Sequence, residues 1–197
     1  MSEESDLSRR RFLTVATSVT GVVGLAFTAV PFIASFRPSA RARALGAPVE
    51  IDISKLESGA MVRYKWRGRP VWVVRRTPEM LERMRSSGAK LADPGSEESE
   101  QPVYAVNDHR SLKEELLVVI GICTHLGCAP IERFDIAPAD LGPDWPGGFY
   151  CPCHGSKFDL AGRVYAGFPA PTNLPIPPHR FVGDDLIIVG DDSGVSS

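Results

Sequence analysis

The hydrophobic positions of this chain fall into one long uncharged run near the N-terminus and several short runs further on. No residue between Phe12 and Phe36 is charged. A helix over residues 12–36 would be roughly 37 Å long, enough to cross the ~30 Å hydrocarbon core of a bilayer. A buried core helix is the alternative, but an uncharged run of this length is more typical of a membrane span. We therefore predict a single transmembrane anchor over residues 12–36, preceded by a polar N-terminus over residues 1–11.

Beyond residue 48 the pattern changes to that of short β-strands. Residues 49–53 alternate between apolar and polar side chains, as a half-buried strand does. Residues 116–122 form a continuous apolar run of strand length. Further strands are predicted over residues 61–66, 71–75, 163–165 and 186–189.

The segments between these strands predict one helix, one loop and one linker. A helix should begin at Thr77-Pro78-Glu79, because Thr is a good N-cap and Pro and Glu suit the first turn, and it should run to about Ser87. Residues 90–101 should form a surface loop, and residues 37–48 a linker or hinge. With 17 prolines and 18 glycines in the chain, residues 49–197 are predicted to form a mainly β domain, either a sandwich or a small open barrel.

Composition and charge exclude several classes of protein. A formal net charge of −2 leaves no basic excess to bind nucleic acid, and 43% hydrophobic residues are too many for a disordered chain. A mean hydropathy of −0.06 excludes a polytopic membrane protein. Six of the 22 basic residues but only three of the 24 acidic residues precede residue 49, so residues 49–197 carry a formal charge of −5.

The residues before the anchor resemble an export signal. Three arginines precede the span and three follow it, so positive charge alone does not fix the orientation. The sequence Ser-Arg-Arg-Arg-Phe-Leu over residues 8–13 is similar to the bacterial twin-arginine signal. This implies a single-pass protein of the bacterial inner membrane with its domain on the periplasmic side. Small-x-small sites over residues 40–42 and 42–44 would allow cleavage, but the apolar run is longer than a usual signal, so we expect a retained anchor.

The candidate chemistry is concentrated in one segment of the chain. All four cysteines and two of the four histidines lie in the motifs Cys-Thr-His-Leu-Gly-Cys (residues 123–128) and Cys-Pro-Cys-His-Gly-Ser (residues 151–156). Three interpretations compete: a Zn²⁺ site with two Cys and two His, two disulfides in an exported protein, or a [2Fe–2S] cluster with two Cys on one iron and two His on the other. The spacing is wrong for a zinc finger, and two disulfides leave both histidines without a role, which favours the cluster.

Together the two motifs resemble the cluster-binding loops of Rieske iron–sulfur proteins. The extra cysteine in each motif resembles the respiratory type, the iron–sulfur subunits of cytochrome bc complexes, and the resemblance covers nearly the whole chain. It implies a Rieske-type antiparallel β-sandwich with a small cluster-binding subdomain over about residues 121–171. It also implies one [2Fe–2S] cluster per subunit.

The resemblance assigns a role to each residue of the motifs. Two cysteines would bind one iron and two histidines the other through Nδ1, the four ligands being Cys123, Cys151, His125 and His154. A disulfide between Cys128 and Cys153 would hold the two loops together, and the Ser156 hydroxyl would donate to a bridging sulfide. Residues 167–171 are similar to the family's Pro loop, with one residue more than its shortest form. Phe158 stands where many respiratory members have tyrosine.

By the same resemblance the protein would be a subunit of a proton-translocating quinol–cytochrome c reductase. It would oxidise quinol at a membrane site, with His154 bound to quinol and His125 beside it, and pass one electron to a c-type cytochrome with release of protons. The implied partners are cytochrome b and c-type cytochrome subunits, quinol and the membrane, in a dimeric complex without nucleic acid. The alternatives are the Rieske small subunit of an arsenite oxidase and, from another class, a zinc-stabilised periplasmic binding module.

The remaining histidines and the tryptophans are expected to have no part in this chemistry. His109 and His179 lie among polar or Pro-rich residues and are expected to be exposed on the surface. Trp66, Trp72 and Trp145 are expected to be packing residues.

Overall fold

The structure is a computed structural model that describes residues 2–86 and 90–195. It divides into two compact units, one ending at Ala44 and the other beginning at Leu45. The boundary between the units falls within the predicted linker, residues 37–48.

The first unit is helical, and its second helix continues past the boundary to Gly46. Helix α1 (Ser2–Ser35) contains the uncharged run up to residue 35 and extends back through the polar residues before it. Its apolar side chains are exposed, Phe27 by 78%, and its length and composition suit a membrane span. Helix α2 (Ala40–Gly46) lies inside the predicted linker, which is therefore not wholly irregular. It forms because Ala and Arg favour helix and because Ser39 Oγ accepts a hydrogen bond from the Ala42 amide at 3.1 Å.

The second unit is built from antiparallel β-strands. Among its described residues the strands are β1 (Val49–Asp52), β2 (Met61–Trp66), β3 (Arg69–Arg75), β4 (Leu116–Ile120), β5 (Ile131–Arg133), β6 (Gly148–Tyr150), β7 (Lys157–Phe158), β8 (His179–Val182) and β9 (Leu186–Val189). They form three sheets with the strand orders β1-β9-β8, β2-β3-β4 and β5-β6-β7. The mainly β prediction for this unit is confirmed.

The sheet β2-β3-β4 is packed on both of its faces. Successive side chains of a strand point to opposite faces, so β3 and β4 contribute to two separate cores. The first core includes Ile51, Val71, Val73, Val118 and Ile187, and the second includes Trp72, Val74, Leu117, Val119, Phe149 and Phe158. Strand β4 is buried along its whole length, which explains the continuous apolar run at this position. The second core joins the middle sheet to the sheet that carries the second cysteine motif.

Most of the predicted elements are present, with two differences. Helix α3 (Pro78–Ser86) begins as predicted, with the Met80 amide donating to Thr77 Oγ1 at 3.2 Å, and Ser87 lies outside the described residues. Strand β4 ends at Ile120, short of the predicted residue 122, and Gly121 passes so close to the Trp72 ring that a Cβ there would lie 2.0 Å from it. The strand predicted over residues 163–165 is replaced by two isolated bridges.

The segment over residues 90–101 is irregular, as predicted, but it is more than a surface loop. The Ala92 amide donates to the Val164 carbonyl at 3.0 Å, and the Ala166 amide donates to the Lys90 carbonyl at 2.9 Å. The Asp93 carboxylate accepts hydrogen bonds from the amides and hydroxyl of the residues that follow it. This segment therefore supports the chain that follows the second cysteine motif.

The prediction for His179 is wrong, because this residue is fully buried. Its Nδ1 lies 2.9 Å from the Pro177 carbonyl, and its ring packs edge-on against Tyr104 and Phe181. In the part of the chain that the structure describes, its Nε2 has no hydrogen-bond partner. Burial lowers the pKa of His179 below its ordinary value. The tryptophans are buried, as predicted, whereas His109 is half-buried and not exposed as expected.

The burial of His179 predicts that the protein loses stability in mild acid. Its pKa is lower in the folded than in the unfolded chain, so the unfolded chain binds more protons once the pH falls below about 6.5. The free energy of unfolding should then fall by up to about 1.4 kcal/mol per pH unit from this one residue. Denaturant titrations between pH 5 and 8 should show that the unfolding free energy of His179→Phe falls less with decreasing pH than that of the unaltered chain. Equal pH dependence in the two proteins would contradict the prediction.

Candidate functional site

The first cysteine motif folds into a tight loop directly after β4. The Cys123 amide donates to the Cys128 carbonyl at 2.8 Å, and the Gly127 amide donates to the Cys123 carbonyl at 3.0 Å. Gly127 has a φ of 81°, a conformation that favours glycine. The loop closes on itself and presents its tip to solvent, where Leu126 is 72% exposed.

The second cysteine motif has the same hydrogen-bond pattern, between β6 and β7. The Cys151 amide donates to the Ser156 carbonyl at 2.8 Å, and the Gly155 amide donates to the Cys151 carbonyl at 2.9 Å. Gly155 has a φ of 79°, almost the value found in the first loop. In both motifs the glycine is the fifth residue, so the shared spacing places it at the equivalent position of each loop.

A disulfide joins the two loops. Cys128 and Cys153 are bonded through their sulfur atoms, with a Cα–Cα distance of 6.6 Å, and this is the pairing that the family resemblance implied. Because the two residues belong to different motifs, the bond fixes one loop against the other. Two of the four cysteines are thereby removed as metal ligands.

The two remaining thiols lie at the base of the loops, where they are 2% exposed. Burial raises the pKa of the Cys123 thiol, and a hydrogen bond with the Cys151 thiol raises it further. The His125 amide and the Ser156 hydroxyl act in the opposite direction by hydrogen bonding to the Cys123 sulfur. The two thiols are thus neighbours, and polar groups suited to a thiolate surround them.

The two histidines of the motifs also lie side by side. The ring centroids of His125 and His154 are 4.7 Å apart, and the rings are nearly perpendicular. His154 is exposed, whereas His125 is partly covered. The Nδ1 atom of His125 is buried, and no described residue offers it a hydrogen-bond partner. A buried ring nitrogen without a partner is costly unless it binds something that the chain itself does not provide.

The donor atoms fit a bound metal group. Two buried thiols and two adjacent imidazoles provide two sulfur and two nitrogen ligands, the set that a Rieske-type [2Fe–2S] cluster uses. The same set would also satisfy a tetrahedral Zn²⁺, so the donors alone do not choose between them. The three sulfur atoms of Cys128, Cys151 and Cys153 lie within 4.8 Å of one another, but the disulfide leaves only Cys151 free to bind metal.

A cover segment, residues 167–171, lies against both loops. The Ala170 amide donates to Ser156 Oγ at 3.1 Å. Just beyond the segment, the Thr124 hydroxyl donates to the Thr172 carbonyl at 2.7 Å. The prolines of this segment marked it in the sequence, whereas no local pattern pointed to Thr124, whose partner lies far along the chain.

Buried arginines hold the turn that follows the second loop. The Asp159 carboxylate accepts 2.8 Å hydrogen bonds from the amide and guanidinium of Arg163, and their side chains are 1% and 5% exposed. Arg76 donates to the Leu160 carbonyl at 3.2 Å, and Arg110 donates to the Ala161 carbonyl at 3.2 Å. Burial lowers the pKa of each of these two arginines to about 10. No local sequence pattern pointed to any of these four charged residues.

Phe158 is buried in the second core and has no hydroxyl to offer to a cluster sulfur. A hydrogen bond to sulfur stabilises the more negative, reduced state, so Phe158→Tyr should raise the reduction potential. A net gain of about 1 kcal/mol corresponds to roughly 40 mV for one electron. Redox titration followed by electron paramagnetic resonance measures this shift, and an unchanged potential in a folded variant would contradict it.

Comparison with known proteins identifies relatives over nearly the whole chain. Residues 49–178 match the family described as "Rieske [2Fe-2S] domain", and residues 1–39 match "Ubiquitinol-cytochrome C reductase Fe-S subunit TAT signal". The chain is 61% identical to the ubiquinol-cytochrome c reductase iron-sulfur subunit of Allochromatium vinosum, covering 94% of this chain and 90% of the relative. It is 42% identical to the subunit of the same name from Bradyrhizobium diazoefficiens, covering 93% and 94%. It is 40% identical to the mitochondrial Rieske subunit of the cytochrome b-c1 complex of Chlorocebus aethiops, covering 96% of this chain and 63% of that protein.

Proposed function

Because this chain belongs to the family of Rieske iron–sulfur subunits of ubiquinol–cytochrome c reductase, we propose that it holds one [2Fe–2S] cluster and transfers electrons from quinol to a c-type cytochrome. The observation that carries the proposal is that two loops joined by a disulfide contain two buried free thiols and the buried, unpartnered Nδ1 of His125. The four proposed ligands are Cys123, Cys151, His125 and His154. When bound, such a cluster supplies one-electron oxidation and reduction at this site.

The residues of the two loops have different proposed roles in binding iron and in binding quinol. Cys123 and Cys151 bind iron from the buried side, and their low exposure keeps water from the sulfur atoms. His125 and His154 bind from the surface side. The exposed ring of His154 is placed to accept a hydrogen bond from a quinol hydroxyl and to hold its proton at Nε2. Leu126 gives the tip of the first loop an apolar surface that suits docking in a quinol site.

The N-terminal unit provides attachment to the membrane. Helix α1 is long and apolar enough to span a bilayer, and the match of residues 1–39 to a twin-arginine signal supports a cytoplasmic N-terminus. We propose that the helix is retained as a single-pass anchor of the bacterial inner membrane, that residues 37–48 serve as the hinge, and that residues 49–197 lie on the periplasmic side. The N-terminal mass of the mature chain tests retention, and a start at residue 43 or 45 would contradict it.

Membership of the family gives this subunit cytochrome partners within the complex. We propose that these are cytochrome b and a c-type cytochrome, that quinol binds at their shared membrane site, and that the complex is dimeric. The comparisons support this interpretation over the arsenite oxidase subunit and over the zinc-stabilised binding module, because each of the three relatives compared above is a reductase or b-c1 subunit.

Affinity purification of the full chain from its membranes tests the proposed function. We expect iron, haem b and haem c in the purified complex, together with quinol-dependent reduction of cytochrome c. His154→Asn should abolish this activity, whereas the half-buried control His109→Asn should retain it. Arsenite-dependent reduction with a molybdenum partner, or zinc in place of iron, would contradict the proposal.

A further inference from the structure

Lys157 lies between two aromatic rings beside the second loop. Its Nζ is 5.5 Å from the ring centroid of Trp145 and 5.6 Å from that of Phe168, and it donates to the Leu141 carbonyl at 3.2 Å. A cation within about 6 Å of an aromatic face is attracted by the ring quadrupole. Trp145 is buried, and its indole N–H donates to the Arg133 carbonyl at 3.0 Å, so this ring is fixed in place. The ammonium group thus connects a fixed ring to the ring of Phe168.

Phe168 belongs to the cover segment, which the second loop holds from two sides. Ser156 and Lys157 are consecutive, and successive side chains of an extended chain point in opposite directions. On the buried side, Ser156 Oγ accepts the hydrogen bond from the Ala170 amide. On the outer side, Lys157 contacts Phe168, which is 36% exposed. The cover segment is therefore held at two points. Phe168 contacts Lys157 on the outer side of the second loop, and Ala170 is hydrogen-bonded to Ser156 on its buried side.

The contact between Lys157 and Phe168 lies outside the hydrophobic core. The rings of Phe168 and Trp145, together with Lys157, line an open cavity of about 150 Å³. On the inner side Ala170 is buried in the same core as Cys123 and Cys151. Movement of Phe168 would therefore pull on a residue that packs beside the proposed cluster ligands.

We propose that Lys157 is a positioning residue for the cover segment. Its ammonium group, seated between Trp145 and Phe168, holds the segment closed beside the two free thiols and so slows the loss of the bound cluster. The extra residue of the cover segment, Phe168, provides the ring through which the lysine acts. This inference rests on the proposed cluster site.

The rate of iron release from the full chain in detergent to a chromophoric iron chelator tests the role of Lys157. We expect Lys157→Met to accelerate release about fivefold, because it keeps the apolar stem but loses the charge and the hydrogen bond to the Leu141 carbonyl. Phe168→Ala should have a similar effect, and the double variant should release iron no faster than either single variant. Lys157→Arg, which keeps the cation, should release iron at the original rate.

Lys113→Met is the matched control. Lys113 also lies over an aromatic ring, with its Nζ 4.8 Å from the Phe181 centroid, but in the sheet β1-β9-β8 and not beside the cysteine loops. The Lys113→Met variant should release iron at the rate of the unaltered chain. An unchanged rate in Lys157→Met, an equally fast rate in Lys157→Arg, or effects of Lys157→Met and Phe168→Ala that multiply would each overturn the inference.

Two further measurements separate a failure of the proposed role of Lys157 from a variant that does not fold and from a failure of the proposed cluster site. If Lys157→Met does not fold, Phe168→Ala and Phe168→Tyr replace it, and equal release rates in these two would overturn the inference. The iron content of the unaltered chain is measured first. Absence of iron there would refute the proposed function, whereas bound iron with unaltered release in the variants would refute the role of Lys157 alone.

Discussion

Replacement of Cys151 by alanine is expected to reduce the iron and acid-labile sulfide content of the purified protein to background. Cys151 is a buried free thiol next to Cys123, and no other free cysteine is available because Cys128 and Cys153 are bonded to each other. An iron that loses one of its two thiolate ligands cannot retain its coordination. Metal and sulfide analysis, with the visible absorption spectrum, measures the loss. Full iron content in Cys151→Ala would contradict the assignment.

The double variant Cys128→Ala, Cys153→Ala is the matched control for this loss. It removes two sulfur atoms from the same loops but leaves all four proposed ligands in place. We expect it to bind iron when purified and to lose about 2–4 kcal/mol of unfolding free energy, because the disulfide restrains the unfolded chain. Loss of the cluster in both proteins to the same extent would mean that the assignment of free and bonded cysteines is wrong.

Asp159→Asn is expected to lower the free energy of unfolding by about 3–5 kcal/mol, because removing one partner of a buried ion pair leaves an uncompensated charge. Asp159 pairs with buried Arg163, and the guanidinium groups of Arg76 and Arg110 lie against the same turn. With the carboxylate removed, this buried turn would carry positive charge only. Denaturant titration monitored by tryptophan fluorescence measures the change.

The exposed pair between Arg133 and Asp140 provides the control for the buried pair. Its guanidinium and carboxylate are bonded at 2.6 and 2.7 Å, but the Asp140 side chain is 60% exposed. Exposed pairs contribute about 0–1 kcal/mol, so Asp140→Asn should change the unfolding free energy much less. Equal losses in the two variants would show that burial of the Asp159 pair is not the cause of its contribution.

The parts of the fold that could be predicted from the sequence are those fixed by neighbouring residues. Helix α3 begins where Thr77 caps it, and β4 follows a continuous apolar run. The candidate site was also predicted from local information, because each motif places its cysteine, histidine and glycine within six consecutive residues.

The parts that could not be predicted depend on contacts between distant residues. Strands β5, β6 and β7 have at most three residues each, and pairing across the chain, such as Ile131 with Tyr150, defines them. His179 is buried because Tyr104 packs against it, and Arg76 is buried because the Leu160 carbonyl accepts its hydrogen bond. No local pattern distinguishes these two residues from exposed histidines and arginines.

Two histidines and two cysteines are the proposed ligands of the [2Fe–2S] cluster in this protein. Electron paramagnetic resonance of the reduced chain, prepared with ¹⁵N-labelled histidine, tests this assignment. We expect a low-temperature signal with couplings to the ring nitrogens of both His125 and His154, and loss of one coupling or of the cluster in His125→Cys. A signal without histidine nitrogen couplings, or a purified protein that contains zinc and gives no signal, would contradict it.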